Sequence, residues 1–248
     1  MYLTWLDNNS WLIEMGNRRI LLDPWLVGSL IFGNLPWLFK GEHAEARSIP
    51  AQIDLILLSQ GLEDHAHPET LKQLDRNIPV VASPNAAKVV QELGYTQVTA
   101  LAHGEETHIA GELTIRAVPG SPIGPFLVEN GYLLTDTLTG TKLYYEPHGY
   151  HAPILKQFAP VDVVIAPVVD LEIPLLGSII RGQKTALEVA QWLQPQVFIS
   201  TAAGGAVRFS GMLTAVLRAQ GAPEQLRLPG STTLITPQPG ERFHLQLV

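Results

Sequence analysis

Apolar and polar positions alternate in short runs over residues 2–22, broken by Asp7-Asn8-Asn9 and by Gly16-Asn17. Period-two alternation split by turn-forming residues predicts antiparallel strands joined by tight turns. The pattern then changes. Ile53-Asp54-Leu55-Ile56-Leu57-Leu58 is a nearly unbroken apolar run, as expected of a strand buried on both faces, and the residues from Pro68 to Leu74 read as a helix with proline in its first position. Residues 79–82 predict a strand and 85–93 a helix closed by Gly94. Further strands are expected at 112–118, 131–135, 142–145, 161–166 and 197–200, with a helix at 184–193. A helix over 211–220 and strands near 233–235 and 243–247 complete a layered alternation of strands and helices.

Residues 25–39 fit neither period. Trp25, Leu26, Leu30, Phe32, Trp37, Leu38 and Phe39 are interleaved with Gly28, Gly33 and Pro36, which prevents a regular helix. Two readings stand open: the aromatics fold back onto the core, or they form an apolar flap that lines a ligand pocket or makes a homo-oligomer contact.

The chain of 248 residues has no linker or composition break, so a single domain over 1–248 is expected. Hydrophobic residues make up 46% and charged residues 16%, which suits a folded core and excludes a disordered chain. Sixteen Lys and Arg against 23 Asp and Glu leave a formal charge of −7, and no basic tract is available to neutralise successive phosphates, so nucleic acid is not an expected partner. With no cysteine, any metal must be held by histidine and carboxylate. The opening residues lack the basic-then-apolar order of a signal peptide and no run has the length of a transmembrane segment, which together lead us to expect a cytoplasmic protein.

The chemistry concentrates after the apolar run, in Ser59-Gln60-Gly61-Leu62-Glu63-Asp64-His65-Ala66-His67. The outline is that of a His-x-His-x-Asp-His metal loop, with Gln60 and Leu62 standing where imidazoles would be and only Asp64 and His65 in register. Leucine has no lone pair for a cation, and an amide oxygen is a weaker zinc ligand than imidazole.

Together with Leu3-Thr4-Trp5-Leu6, Ser10-Trp11-Leu12-Ile13-Glu14, Ile20-Leu21-Leu22-Asp23-Pro24-Trp25-Leu26 and Lys142-Leu143-Tyr144-Tyr145, this loop resembles the metallo-β-lactamase superfamily, in particular its lactonase-like and zinc-dependent hydrolase branch. The Ser-Gln-Gly-Leu-x-Asp-His variant with a later Tyr-Glu-Pro-His is similar to a sub-branch associated with cyanobacteria and chloroplasts.

The resemblance implies an α/β fold, the metallo-β-lactamase-like four-layer αββα sandwich. It also implies a reduced metal site. Ser121 stands near where relatives place a further histidine, and Ser200-Thr201-Ala202-Ala203-Gly204-Gly205 where they place the last one. His148 falls at the bridging aspartate's position, and one imidazole lone pair serves one ion where a carboxylate serves two. The expectation is at most one Zn or Mn ion, with Asp64, His65 and His148 as ligands and His67 and His151 nearby. Such a cation would acidify water and polarise an ester, lactone or phosphoester of a small-molecule substrate, while Glu146 or Asp64 takes the proton. The alternative is a catalytically silent binding protein that has kept the fold.

Overall fold

The computed structural model describes residues 1–174, 177–202 and 205–247. The chain divides into two compact units, one of residues 1–101 with 204–216 and 238–246, the other of residues 102–203 with 217–237 and 247–248.

In the first unit β1 (Tyr2–Asp7), β2 (Ser10–Met15) and β3 (Arg18–Leu22) form an antiparallel meander, with Leu3 opposite Ile13 and Ile13 opposite Ile20. The turn residues identified in the sequence adopt left-handed conformations, with φ of 48° at Asn8 and 55° at Asn17, and asparagine tolerates this region better than most side chains. The strand Arg242–His244 pairs with the outer edge of β1.

Beyond β3 the sheet continues with parallel strands Leu55–Leu58, Val80–Ala82 and Val98–Ala100. Parallel neighbours require crossovers, which α1 (Pro68–Gln73) and α2 (Pro84–Glu92) supply. Both helices begin at proline, and the preceding side chains, His67 and Ser83, accept hydrogen bonds from Thr70 N and Ala86 N. Leu71, Ala86, Ala87 and Val90 pack against Leu12, Leu21, Ile56, Leu58 and Val80 in one core. Burying each of the larger aliphatic side chains contributes about 1.5–3 kcal/mol.

Residues 25–39 divide between the two readings. Trp25, Leu26 and Leu30 are buried, whereas Leu35 and Trp37 are exposed. Short strands Leu30–Ile31 and Lys40–His43 pair with each other and with Val207–Ser210. Gly41 permits this pairing, because a β-carbon there would come within 2.8 Å of the Trp25 ring.

The second unit is built on the long hairpin Leu113–Ile123 and Leu127–Asp136. Its neighbours are Glu106–Ile109 on one side and Lys142–Tyr145 on the other, followed by the parallel strands Val163–Ala166, Val197–Ser200 and Thr233–Ile235. Helix α3 (Gln183–Leu193) buries Ala186, Val189, Ala190 and Leu193. Their helical spacing forms one stripe, which packs with Tyr144, Val164 and Phe198.

The helix expected over 211–220 is not formed. Met212–Ala215 is a single 3-10 turn with no buried residue, and Arg218–Gln220 is a strand paired with Asp170–Ile173. None of residues 211–220 is buried, so a helix here would gain little from packing its apolar side chains, whereas pairing at a sheet edge satisfies the backbone. Among the described residues no helix is long and apolar enough to cross a membrane.

Candidate metal centre

Strand pairing places the first group of polar side chains. β3 runs parallel to Leu55–Leu58 with Leu22 opposite Leu57, so Asp23 and Ser59 emerge side by side at the strand ends. Asp23 N bonds Leu57 O at 3.0 Å. The Asp23 carboxylate accepts from Ser59 N through Oδ1 at 2.7 Å and from Ser59 Oγ through Oδ2 at 2.5 Å. The chain then turns, with His65 N and Ala66 N both bonded to Leu62 O, and returns the His65 ring to Asp23. His65 Nδ1 lies 2.7 Å from Asp23 Oδ2, while Nε2 lies 3.1 Å from Asp64 Oδ2 and 3.4 Å from Asn9 Nδ2. Asp23, Ser59 and His65 are fully buried. Burial disfavours the imidazolium, but the charges of Asp64 and Asp23 outweigh it and hold the His65 pKa well above its ordinary value.

Gln60 is buried and Leu62 is partly exposed, so the two positions without imidazole carry no ionisable group. His67 caps α1: Nδ1 accepts from Thr70 N, and Nε2 lies 3.3 Å from Ser29 O.

The second unit gathers another group. Strand Lys142–Tyr145 delivers Glu146 and His148, and its neighbour Leu127–Asp136 carries Glu129. Small residues make room for the glutamates. A β-carbon at Gly120 would stand 3.0 Å from Glu129 Cγ, and one at Gly131 would stand 3.4 Å from Glu146 Cγ. Gly149, at φ 78°, redirects the chain after His148, and a β-carbon there would collide with Arg181 O at 1.6 Å.

Glu129, Glu146 and His148 are buried. His148 Nδ1 is 2.7 Å from Glu129 Oε1, which also accepts from Ser121 N at 3.2 Å. Glu146 Oε2 accepts from Tyr150 N at 2.8 Å, whereas its Oε1 is enclosed and meets no hydrogen-bond donor among the described residues. Burial, followed by the charge of Glu129 and a hydrogen bond to it, pushes the Glu146 carboxyl well above the usual range. The nearby His148 charge opposes this but does not overcome it.

Asp64 and His65 thus stand together in the first unit, and Glu146 and His148 in the second. Sequence reasoning missed Glu129 and gave Asp23 no role at the site. The signal for Glu129 was a charged residue followed by Asn130 inside an apolar strand, and both are fully buried. His151 Nδ1 bonds the Tyr144 hydroxyl at 3.1 Å. Ser200, also buried, ends its strand, while Ala203 and Gly204 lie outside the described residues.

The donors suit the cation that the fold implies. One ligand atom from each of Glu129, Glu146 and His148 lies within 4.8 Å of the others, and the donors are oxygen and imidazole nitrogen, appropriate to Zn²⁺ or Mn²⁺. The enclosed Glu146 Oε1 is the kind of orphaned acceptor that a cation satisfies.

The chain belongs to the family described as the β-lactamase superfamily domain, whose model matches residues 2–202. It is 32% identical over 81 residues to a metal-dependent hydrolase of Roseobacter denitrificans, a match spanning 33% of this chain and 31% of that protein. Less than a third of that curated relative is therefore covered. Among solved structures, a possible metal-dependent hydrolase from Veillonella parvula is similar at a TM-score of 0.73 and 14% identity, covering 99% of each chain. The isothiocyanate hydrolase from Delia radicum gut bacteria is similar at 0.70 and 16%, again over 99% of each chain. At such identities the likeness carries the fold alone, and the fold is the metallo-β-lactamase-like α/β architecture that the sequence resemblance implied.

Proposed function

We propose that the protein is a metal-dependent hydrolase with at most one divalent ion, acting on an ester, lactone or phosphoester of a small molecule in the cytoplasm. The observation that carries this reading is the buried group around His148, where Glu146 presents an enclosed oxygen without a donor beside an imidazole. The local match to a metal-dependent hydrolase supports the same reading.

Asp64, His65 and His148 are the proposed ligands. Asp64 Oδ2 and His65 Nε2 face each other at 3.1 Å within the first unit, and a bound cation would take the place of the ion pair they form without one. A bound Zn²⁺ or Mn²⁺ would supply Lewis-acid polarisation of the scissile group and acidification of water. The chain's own part is proton handling. Glu146, whose affinity for a proton is raised by burial and by Glu129, accepts the proton of the attacking water and returns it to the leaving oxygen, and Asp64 is the second candidate acceptor. The loss of imidazoles at Gln60, Leu62 and Ser121 argues for one ion rather than two.

A second reading has its own observation. The series Glu146, Glu129 and His148 forms a hydrogen-bonded network without any cation, as a silent binding protein would require. Metal analysis separates the two. Chain purified from zinc- and manganese-supplemented medium is expected to carry about one ion, His148→Ala to lose it while remaining folded, and Glu146→Gln to hydrolyse model esters at least about 100-fold more slowly. Two ions per chain, or none in the unaltered protein, would sink the proposal.

A further inference from the structure

The long hairpin of the second unit ends in a tip whose side chains the fold does not bury. Residues 117–128, Ala117-Val118-Pro119-Gly120-Ser121-Pro122-Ile123-Gly124-Pro125-Phe126-Leu127-Val128, carry no charge. At the tip Phe126 is 92% exposed, and Leu127 and Val128 are exposed beside it. Large apolar side chains gathered at one exposed place mark a surface that something else covers. Gly124, at φ 62°, closes the turn, and among the described residues nothing lies within 4 Å of where its β-carbon would stand.

The base of this tip is part of the candidate metal centre. Ser121 N donates to Glu129 Oε1 at 3.2 Å, and the same oxygen lies 2.7 Å from His148 Nδ1. The tip thus begins beside a residue that touches the buried carboxylate and ends at that carboxylate, all within one unit. Strand pairing decides which side chains share its face. Ile123 stands opposite Leu127, and alternation along Leu127–Asp136 puts Leu127 on the face of Glu129. The bulge between Pro119 and Pro122 falls on the other strand and leaves this alternation unbroken.

We propose that residues 122–128 form a specificity surface for the hydrolytic site, and that the substrate carries a hydrocarbon group beside its scissile bond, which lies against Ile123, Phe126 and Leu127. The inference rests on the reading of the group of Glu129, Glu146 and His148 as a hydrolytic centre. Two other occupants suit the tip less well. A stable contact with a second copy takes roughly 20–30 residues from each partner, more than residues 122–128 supply. A membrane surface would attract the tip through basic residues beside it, whereas residues 117–128 hold none and the chain has a formal charge of −7. A hydrocarbon group small enough to be covered by a few side chains matches both the size of the tip and its lack of charge.

The test compares hydrolysis of the nitrophenyl esters of acetate, butyrate and octanoate, together with calorimetric titration of butyrate and octanoate into zinc-loaded protein, a readout that needs no turnover. In the unaltered protein kcat/KM should rise at least about tenfold from the acetate to the octanoate ester, and octanoate should bind at least about tenfold more tightly than butyrate, since each buried methylene contributes up to about fourfold. Phe126→Ser combined with Leu127→Ser should bring both ratios towards one. Leu138→Ser, at an exposed apolar position on another turn of the same unit, should leave them as they are. Hydrolysis without dependence on chain length, or a dependence that the double variant retains, overturns the inference and leaves the hydrolase reading standing. If the double variant retains the ratios and instead loses self-association in light scattering, or flotation with phosphatidylcholine vesicles, the tip belongs to that other occupant. No hydrolysis of any of the esters removes the hydrolase reading, and the inference falls with it.

Discussion

Ring contacts sort the eight histidines. His43 Nε2 meets Trp25 O, His67 caps α1, His103 Nε2 meets Glu129 O, His108 Nδ1 meets the Thr114 hydroxyl, and His244 stacks on Tyr2. His151 is a further kind. Its residue is partly open to solvent, yet its Nε2 is enclosed without a hydrogen-bond partner among the described residues, and burial pushes its pKa down to about 3. The folded state therefore refuses a proton that the unfolded chain binds below pH 6.5. This contribution to stability is complete above pH 6.5 and is lost as the pH falls from there towards 3. His151→Gln removes this titration and keeps a partner for Tyr144. Between pH 7 and pH 5 the unaltered protein should lose about 1–2 kcal/mol more stability than the variant, read from urea midpoints, and parallel losses would contradict the assignment.

At the scale of elements, strand ends and helix starts do the positioning. The 59–67 segment hands a parallel strand over to α1, and it places Ser59 and His65 within reach of Asp23 and Asp64 against the far nitrogen of His65. The same segment contains a residue that only looks like chemistry. His67 was legible as a nearby histidine, but the proline-initiated helix uses it as a cap. His67→Ala should cost about 1 kcal/mol in urea unfolding and leave zinc affinity unchanged, and a loss of zinc would make His67 a ligand after all. The mistaken helix over 211–220 has a related cause. Its composition permits a helix, but only the sheet edge at Asp170–Ile173 reveals the competing partner of Arg218–Gln220.

For the molecule as a whole, the open question of residues 25–39 becomes one of solvent and partners. Trp37 is 59% exposed and Met212 66%, and the two are adjacent, with Met212 N bonded to Trp37 O at 3.0 Å. Exposed Leu35 and Phe209 extend the apolar surface within the same unit. We propose a homo-oligomer through this segment. Light scattering at tens of micromolar should give about twice the 27.1 kDa chain mass, and Trp37→Ser with Met212→Ser should restore the monomer. A monomeric unaltered protein carrying no bound apolar molecule would remove the interaction reading.

Local chemistry alone determined most of the elements. Alternation gave the opening meander, the unbroken run at 53–58 gave a strand buried on both faces, and proline-led helices began where their caps demanded, because these signals act between residues near one another in the chain. The loop motif likewise identified Asp64 and His65 together with the absence of imidazole at Gln60 and Leu62. What only tertiary structure decided were contacts across long separations. Asp23 meets His65 across 42 residues because β3 and the strand Leu55–Leu58 run parallel, and Glu129 meets His148 because two antiparallel strands share a register. No spacing rule reports such pairs, since the free energy that places them is that of the whole sheet.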